Sequence, residues 1–271
     1  MVTGNNFACA VVSPGATGKV YCWGANTYGQ LGDGTVTRRT RAVPVKANST
    51  TELTGVTAVS AGHSSACAVL VSGTVRCWGL NDVGQLGNAT TTNSAYPVAV
   101  VDIDGVYVKA TTVAVGNGFG CVRLTSGNVR CWGRNVIGQL GNGTATNSSR
   151  PVAVLTAAGT ALTGATDVFT GGSHACALIG SGSTSSLRCW GNNASGQIGD
   201  GTVTPRRFAT LLSTALTGTS IVATGGNHTV AVIPSATRPP TIATSWGLNS
   251  SGQIGIGNLT NRTSPTTITT M

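Results

Sequence analysis

Eight cysteines stand as four pairs in this 271-residue chain, and paired cysteines can hold a metal ion or form disulfides. The pairs are Cys9 and Cys22, Cys67 and Cys77, Cys121 and Cys131, and Cys176 and Cys189. The second cysteine of each pair opens a recurring stretch, such as "CWGANTYGQLGDGT" from Cys22. A fifth copy, "SWGLNSSGQIGIGN", begins at Ser245, and Val230 occupies the place of its first cysteine. Both cysteines are therefore lost together, as expected for a bonded pair.

Turn geometry also favours disulfides within each repeat. In repeats two and three, the three-residue turns 71–73 and 125–127 predict tight hairpins that place the two cysteines directly opposite each other. Opposed residues of antiparallel strands lie about 4.5–5.5 Å apart at Cα, within or at the edge of disulfide reach. A zinc site is the second alternative, but zinc needs four ligands in one place, whereas whole repeats separate these pairs. Free thiols are the third alternative.

Disulfides persist in oxidising compartments, so the pairs predict a secreted or cell-surface protein. The N-terminal sequence "MVTGNNFACAVV" shows no basic segment followed by a long apolar one, so we expect no signal peptide in this chain. No apolar run is long enough to predict a membrane-spanning helix.

The other reactive side chains do not form a site. His174 and His228 share one repeat position that Phe7, Ser65 and Phe119 fill elsewhere, which indicates a packing role. The seven acidic residues fall mostly in turns, and the five tryptophans recur with the repeat, which favours packing between repeats over ligand stacking. We find no nucleophile–base pair, phosphate loop or metal-ligand cluster, so the sequence predicts no catalytic residue, no metal and no cofactor.

The elements that position these residues follow from the repeat. The glutamine of its Gly-Gln-Leu/Ile-Gly run falls at 30, 85, 139, 197 and 253, and each copy contains four short segments of strand-forming residues separated by turns. A proline opens the last segment, which suits an edge strand. We predict an all-β fold, a β-propeller of five four-stranded antiparallel blades of about 54–58 residues, over a stacked solenoid. The expected single domain is 1–271, with blades at 1–50, 51–105, 106–159, 160–216 and 217–271.

The repeat resembles a known family. Gly-x-x-His/Phe-x-x-Ala-Leu/Val, then Val-x-Cys-Trp-Gly-x-Asn-x-x-Gly-Gln-Leu-Gly, then Pro-Val-x-Val is similar to the regulator of chromosome condensation repeat over essentially the whole chain. The resemblance implies a β-propeller, usually of seven blades where this chain has five repeats. It leaves function open, because the family includes a nucleotide exchange factor, a plant light receptor and a secreted β-lactamase inhibitor.

The net charge of +9 is predicted to be uneven. In an up-and-down blade the long connection between the third and fourth strands lies at one end, and the hairpin turn between the second and third strands lies at the other with the inter-blade link. The long connections hold eight arginines against three aspartates, whereas the hairpin end balances four cations with four carboxylates. One interpretation of the excess arginines is that they keep the protein soluble. The alternative is that they attract an anionic partner. The candidate basic face comprises Arg38, Arg39, Arg134, Arg206, Arg207 and Arg262.

Recognition is expected at the hairpin end, where the turns differ most between repeats. "SPGATG", "GSGSTSS" and "PSATRPPT" are longer than the turns of repeats two and three, and binding specificity is usually placed in such loops. The candidate residues of this variable-loop face are Lys19, Ser183, Ser185 and Arg238.

The sequence therefore predicts an extracellular, non-catalytic binding or scaffolding propeller that recognises a protein or an anionic surface polymer. Nucleic acid is not an expected partner, because aromatic residues are nearly absent from the loops. The alternatives are a propeller lyase or hydrolase with a central site, and an exchange-factor-like regulator of a small GTPase.

Overall fold

Strands and turns account for nearly all regular structure in the computed structural model, which describes residues 1–233 and 242–268. Within these residues there are five four-stranded antiparallel sheets, one two-stranded ribbon and one short 3-10 helix at Gly182–Thr184. The sheets follow from alternating Val, Ala, Thr and Cys residues bounded by glycine turns. The predicted all-β class is confirmed.

The strands of each sheet are consecutive in the chain, and we call the sheets blades one to five. Blade one contains β1 (Val2–Thr3), β2 (Phe7–Val12), β3 (Lys19–Gly24) and β4 (Arg39–Pro44). Blade two contains β5 (Val56–Ala61), β6 (Ser65–Leu70), β7 (Val75–Gly79) and β8 (Ser94–Ala99). Blade three contains β9 (Ala110–Val115), β10 (Phe119–Leu124), β11 (Val129–Gly133) and β12 (Ser148–Ala153). The ribbon pairs β13 (Leu155–Ala157) with β14 (Thr160–Ala161). Blade four contains β15 (Ala165–Thr170), β16 (His174–Ile179), β17 (Ser186–Gly191) and β18 (Arg206–Leu211). Blade five contains β19 (Ile221–Thr224), β20 (His228–Ile233), β21 (Ile242–Gly247) and β22 (Arg262–Thr267).

Every four-stranded sheet lies inside one of the predicted blade ranges, and its strands are ordered first to fourth. The fourth strand starts earlier than predicted, because β8 begins at Ser94 and has Pro97 in its interior. An interior proline is tolerated there because β8 is an edge strand, so its outward main-chain position needs no N–H donor.

The described residues divide into two compact units. The first contains residues 1–125, 130–135 and 146–152, and the second contains 126–129, 136–145 and 153–271. In each unit the hydrophobic core lies between consecutive blades. Leu31 of blade one packs with Trp78 of blade two in the first unit, and Ile198 of blade four packs with Trp246 of blade five in the second. That the chain is a single domain stays a prediction.

Candidate binding site

The cysteines form four disulfides with the predicted pairing. Each bond joins the second and third strands of one blade, with Cα atoms 4.0–4.1 Å apart, and all eight cysteines are fully buried. The opposed register, for example Cys67 with Cys77, is the one that the hairpin turns predict. Because no solvent reaches the sulfur atoms, these bonds hold strands together and offer no reactive thiol.

Blade five keeps the same register without the bond. Val230 lies opposite Ser245, and the buried Ser245 hydroxyl donates to the main-chain oxygen of Ile254. The hydroxyl that replaces the cysteine is thus satisfied within its own blade.

Four tryptophans connect consecutive blades. Each indole is fully buried, and its Nε1 donates to the main-chain oxygen of the repeat glutamine one blade earlier. The pairs are Trp78 with Gln30 (3.0 Å), Trp132 with Gln85 (2.9 Å), Trp190 with Gln139 (2.9 Å) and Trp246 with Gln197 (3.0 Å). Trp23 is partly exposed, and its indole makes no hydrogen bond within residues 1–233 and 242–268. The four buried rings pack between blades.

The histidine position is also a packing position. His174 is fully buried at the start of β16, and its Nε2 lies 2.9 Å from the Thr229 hydroxyl. Burial, with a smaller contribution from the nearby His228, lowers the pKa of His174 to about 3. A neutral, enclosed imidazole cannot exchange protons with a substrate near neutral pH.

Two aspartates of the long connections are paired with arginines. Asp33 Oδ2 binds Arg39 Nε at 2.8 Å, and Asp200 Oδ2 binds Arg206 Nε at 2.5 Å. Burial opposes ionisation of Asp33, but hydrogen bonds from Thr35 and Arg39 outweigh it and lower the pKa of the carboxyl. Within the described residues, no three His, Cys, Asp or Glu side chains come together as a group that could hold a metal ion.

These pairs change the interpretation of the candidate basic face. Arg39 and Arg206 are neutralised by aspartates, and they begin the fourth strands instead of lying in the long connections. Arg207 and Arg262 also lie in fourth strands, because those strands begin earlier than expected, so only Arg38 and Arg134 stay in the connections. Arg38 and Arg207 are exposed, whereas Arg134 and Arg262 are half-buried.

The candidate residues at the hairpin end are placed differently from one another. Lys19 forms a partly exposed ion pair of 2.6 Å with Glu52, and Ser183 is exposed in the short 3-10 helix. Ser185 is fully buried and donates to the main-chain oxygen of Thr219 at 2.8 Å, so it supports the fold and does not face a partner. Arg238 and the rest of the turn "PSATRPPT" lie outside the described residues.

A groove recurs between blades at this end of the fold. Between blades two and three it has a volume of about 520 Å³ and is lined by Thr57, Val69, the turn 71–73, Lys109 and Thr111. Between blades four and five it has a volume of about 640 Å³ and is lined by Thr166, Leu178, residues 180–183 and 217–220, and Ile233. The first groove carries a lysine, whereas the second has no charged side chain among its lining residues.

Four exposed apolar side chains belong to the two segments that contribute to the first groove, the hairpin turn of blade two and the link from β8 to β9. They are Val71 (59% exposed), Ile103 (77%), Val106 (59%) and Tyr107 (54%). Val71 belongs to the hairpin turn of blade two, and the other three belong to the link from β8 to β9. We call these four residues the Tyr107 surface. Sequence reasoning missed them, and the available signal was the run of apolar residues inside the turn-forming stretch "DIDGVY".

Comparison with known proteins identifies the repeat. The family model "Regulator of chromosome condensation (RCC1) repeat" matches residues 17–69, 72–122 and 126–178, and a second model of that description matches 1–30, 56–85 and 110–139. Among relatives, the ultraviolet-B receptor UVR8 of Arabidopsis thaliana is 29% identical over 253 residues, which are 91% of this chain and 53% of the receptor. The human E3 ubiquitin-protein ligase HERC2 is 31% identical over 234 residues, covering 84% of this chain and 4% of the ligase. This chain thus spans about half the length of the plant receptor.

Solved structures share the fold. Human WBSCR16 is similar with a TM-score of 0.76 and 19% identity over 98% of this chain and 66% of that one. Yeast RCC1 (Prp20), solved with Kap60 bound, has a TM-score of 0.78 and 20% identity over 98% of this chain and 60% of that one. The part of the chain that the structure describes contains no helix long and apolar enough to cross a membrane. Since three consecutive repeats match across more than half of the sequence, the chain belongs to the regulator of chromosome condensation (RCC1) repeat family and has its β-propeller fold class.

Proposed function

We propose that this chain is a non-catalytic protein-binding module that contacts its partner through the Tyr107 surface. The observation that carries the proposal is that one aromatic and three aliphatic side chains, all more than half exposed, belong to the two segments that contribute to the groove between blades two and three. Apolar side chains grouped in this way on a protein surface are typical of sites of interaction.

The surface is held in place by its own main-chain bonds. Val101 and Tyr107 form a β-bridge, and the Asp102 carboxylate accepts a hydrogen bond from the Val106 amide at 2.9 Å. The link is tied to the hairpin turn, because the Ala110 amide donates to the Gly73 carbonyl at 2.9 Å. A partner therefore meets a prearranged surface and loses little binding free energy to loop ordering.

The chemistry of the surface suits a protein better than an anionic polymer. Tyrosine with aliphatic neighbours resembles the centre of a protein interface, and charged groups belong at its rim. Asp102 and Asp104 lie in the same link, and their carboxylates repel polyanions. Lys109 Nζ already donates to the Ser72 carbonyl at 3.0 Å. The groove that Val71 lines has room for a side chain of the partner.

The comparisons give general support. Yeast RCC1 (Prp20) has been solved bound to Kap60, and the structure of Prp20p from Saccharomyces cerevisiae is accompanied by its binding properties toward Gsp1p and histones, so this fold presents protein-binding surfaces elsewhere. Four buried disulfides support an oxidising compartment, and we propose a secreted or cell-surface location on that basis.

The test begins with capture of a partner from the native extracellular fluid, followed by affinity measurements on the purified pair. We expect Tyr107→Ala and Ile103→Ser to weaken binding by about tenfold or more, because truncating a central interface anchor costs at least 1–2 kcal/mol. Val203→Ser is the matched control, since Val203 is 56% exposed in the long connection of blade four. Unchanged affinity in both surface variants, with unfolding midpoints equal to that of the wild type, contradicts the proposal.

The proposed compartment has its own measurement. Alkylation of the protein as it is isolated from its source, followed by non-reducing peptide mapping, should find all eight cysteines oxidised in the four intra-blade pairs. Free cysteines in freshly isolated protein would show a reducing compartment and favour an intracellular regulator.

A further inference from the structure

The residue nine positions after the repeat glutamine begins the fourth strand of every blade. It is Arg39 in blade one, Ser94 in blade two, Ser148 in blade three, Arg206 in blade four and Arg262 in blade five. The position three residues after the glutamine varies with it: Asp33, Asn88, Asn142, Asp200 and Ile256. Arginine occurs with aspartate and serine occurs with asparagine, except in blade five, where arginine occurs with isoleucine.

Blades one and four show what this arginine does. The carboxylate of Asp33 accepts from Arg39 Nε at 2.8 Å through Oδ2, and from the Thr35 amide at 3.0 Å through Oδ1. In blade four, Asp200 accepts from Arg206 Nε at 2.5 Å and from the Thr202 amide at 3.0 Å. Both aspartate side chains are nearly buried, and both carboxyl pKa values are lowered, so these connections are receptors for a carboxylate.

Blade five keeps the donors of that receptor and lacks the carboxylate. Arg262 lies opposite Gly247, the register that Arg39 has with Gly24 and Arg206 has with Gly191. The long connection has the same internal hydrogen bonds as that of blade one. The side-chain amide of Asn249 donates to the main-chain carbonyls of Asn258 and Thr260, as the side-chain amide of Asn26 does to those of Thr35 and Thr37. The main-chain amide of Asn258 corresponds to that of Thr35 in blade one. Within residues 1–233 and 242–268, neither this amide nor the Arg262 guanidinium makes a hydrogen bond.

We propose that blade five binds an external carboxylate where its long connection meets its fourth strand. The donors are the Arg262 guanidinium and the main-chain amide of Asn258. Arg262 is half-buried, and salt screens a partly buried charge less than an exposed one, so Arg262 should attract a carboxylate more strongly than a surface arginine does. This site lies where Arg262 pairs with Gly247, and it shares no residue with the Tyr107 surface.

The test follows the Nε–Hε signals of the arginines by NMR in the full chain, using blocked glutamate (N-acetylglutamate amide) as the probe. We expect a saturable shift of the Arg262 signal, while the signals of Arg39 and Arg206, whose carboxylates are internal, stay in place. Blocked glutamine, which has the same shape without the charge, should cause no shift. Acetate as a second probe distinguishes the source of the carboxylate. Equal affinities for acetate and blocked glutamate indicate a site for small acids, whereas tighter binding of blocked glutamate indicates a site for a protein side chain.

Two substitutions at one position complete the experiment. Ile256→Asp should supply the missing carboxylate, move the Arg262 signal toward those of Arg39 and Arg206 without any probe, and abolish the glutamate titration. Ile256→Val, which adds neither a charge nor a hydrogen-bond acceptor, should leave the titration in place. The proposal is overturned if glutamate fails to shift the Arg262 signal, or if Ile256→Val abolishes the shift as fully as Ile256→Asp does.

Discussion

The Nε2 atom of His174 lies 2.9 Å from the hydroxyl of Thr229, and that hydroxyl donates to the main-chain oxygen of Gln197 at 3.0 Å. Because the threonine proton is directed at Gln197, Nε2 must carry the proton that His174 donates. Nδ1 is buried and has no hydrogen-bond partner among the residues that the structure describes. A second proton would therefore place a charged N–H at Nδ1 where nothing accepts it.

This arrangement predicts a loss of stability in acid. The pKa of His174 is about 3 in the folded chain and about 6.5 when unfolded, so the unfolded state binds the proton first as the pH falls. The free energy of unfolding should drop progressively below pH 6.5, with His174 contributing a loss of about 3 kcal/mol by pH 4. The double variant His174→Phe/Thr229→Ala, which copies Phe7 and Ala66 of the first two repeats, should lack this part of the loss in urea unfolding.

The single variant Thr229→Ala is the control for this prediction. The substitution removes the hydroxyl that accepts the hydrogen bond of the buried histidine. The variant protein should therefore be less stable than the wild type by about 1–3 kcal/mol at pH 7, and its free energy of unfolding should still fall in acid. An identical pH profile for the wild type and the double variant would show that another group is responsible.

Blade five should accept a fifth disulfide. Val230 and Ser245 occupy the register of the four cysteine pairs, so Val230→Cys/Ser245→Cys should oxidise without moving the backbone. We expect a gain in unfolding free energy of up to about 2–3 kcal/mol, reduced by loss of the Ser245 hydrogen bond. Non-reducing peptide mapping and urea unfolding, with and without reductant, measure both effects. If the new cysteines stay free in air while the native pairs are oxidised, the register is wrong.

The indole hydrogen bonds should contribute measurably to stability. Trp78→Phe keeps an aromatic ring but leaves the buried Gln30 carbonyl without its donor, and it should cost about 1–3 kcal/mol. Trp23→Phe is the matched control, since the Trp23 indole is partly exposed and has no hydrogen bond within the described residues. Its effect should stay within about 0.5 kcal/mol. Equal losses in the two variants would assign the effect to ring size.

Two glycines separate backbone strain from crowding. Gly199 and Gly255 both have positive φ, +79° and +67°, but an added Cβ at Gly199 would lie 2.6 Å from Trp246 Nε1, whereas at Gly255 the nearest atom is 3.5 Å away. Alanine at either position carries the cost of the left-handed backbone, about 1–2 kcal/mol. Gly199→Ala should be less stable than Gly255→Ala by a further 1–3 kcal/mol or so, because it also forces the tryptophan to move. Similar thermal midpoints for the two variants would contradict this.

Repetition explains which features could be predicted from the sequence. Five copies of one pattern identified the strands, the hairpin register and the cysteine pairs, because each copy repeats the same local constraints. The start of the fourth strand differs from the prediction because Ser94 pairs with Gly79 after a shift in register, three residues ahead of Pro97, the predicted first residue. The burial of Ser185 and the pairing of Arg39 with Asp33 depend on three-dimensional contacts that residue type alone does not reveal. The exposure of Ile103 and Tyr107 likewise depends on how the link folds over the blade.

Each disulfide closes a loop inside a single blade, and this has a consequence for the chain under tension. When the termini are pulled, the first and fourth strands of blades one to four can peel away, but the segment between bonded cysteines, which are 13 or 10 positions apart in the sequence, cannot lengthen. Blade five alone can extend completely. In an oxidising environment the stretched protein is therefore shorter than its residue count implies, and reduction releases the hidden length in four separate steps.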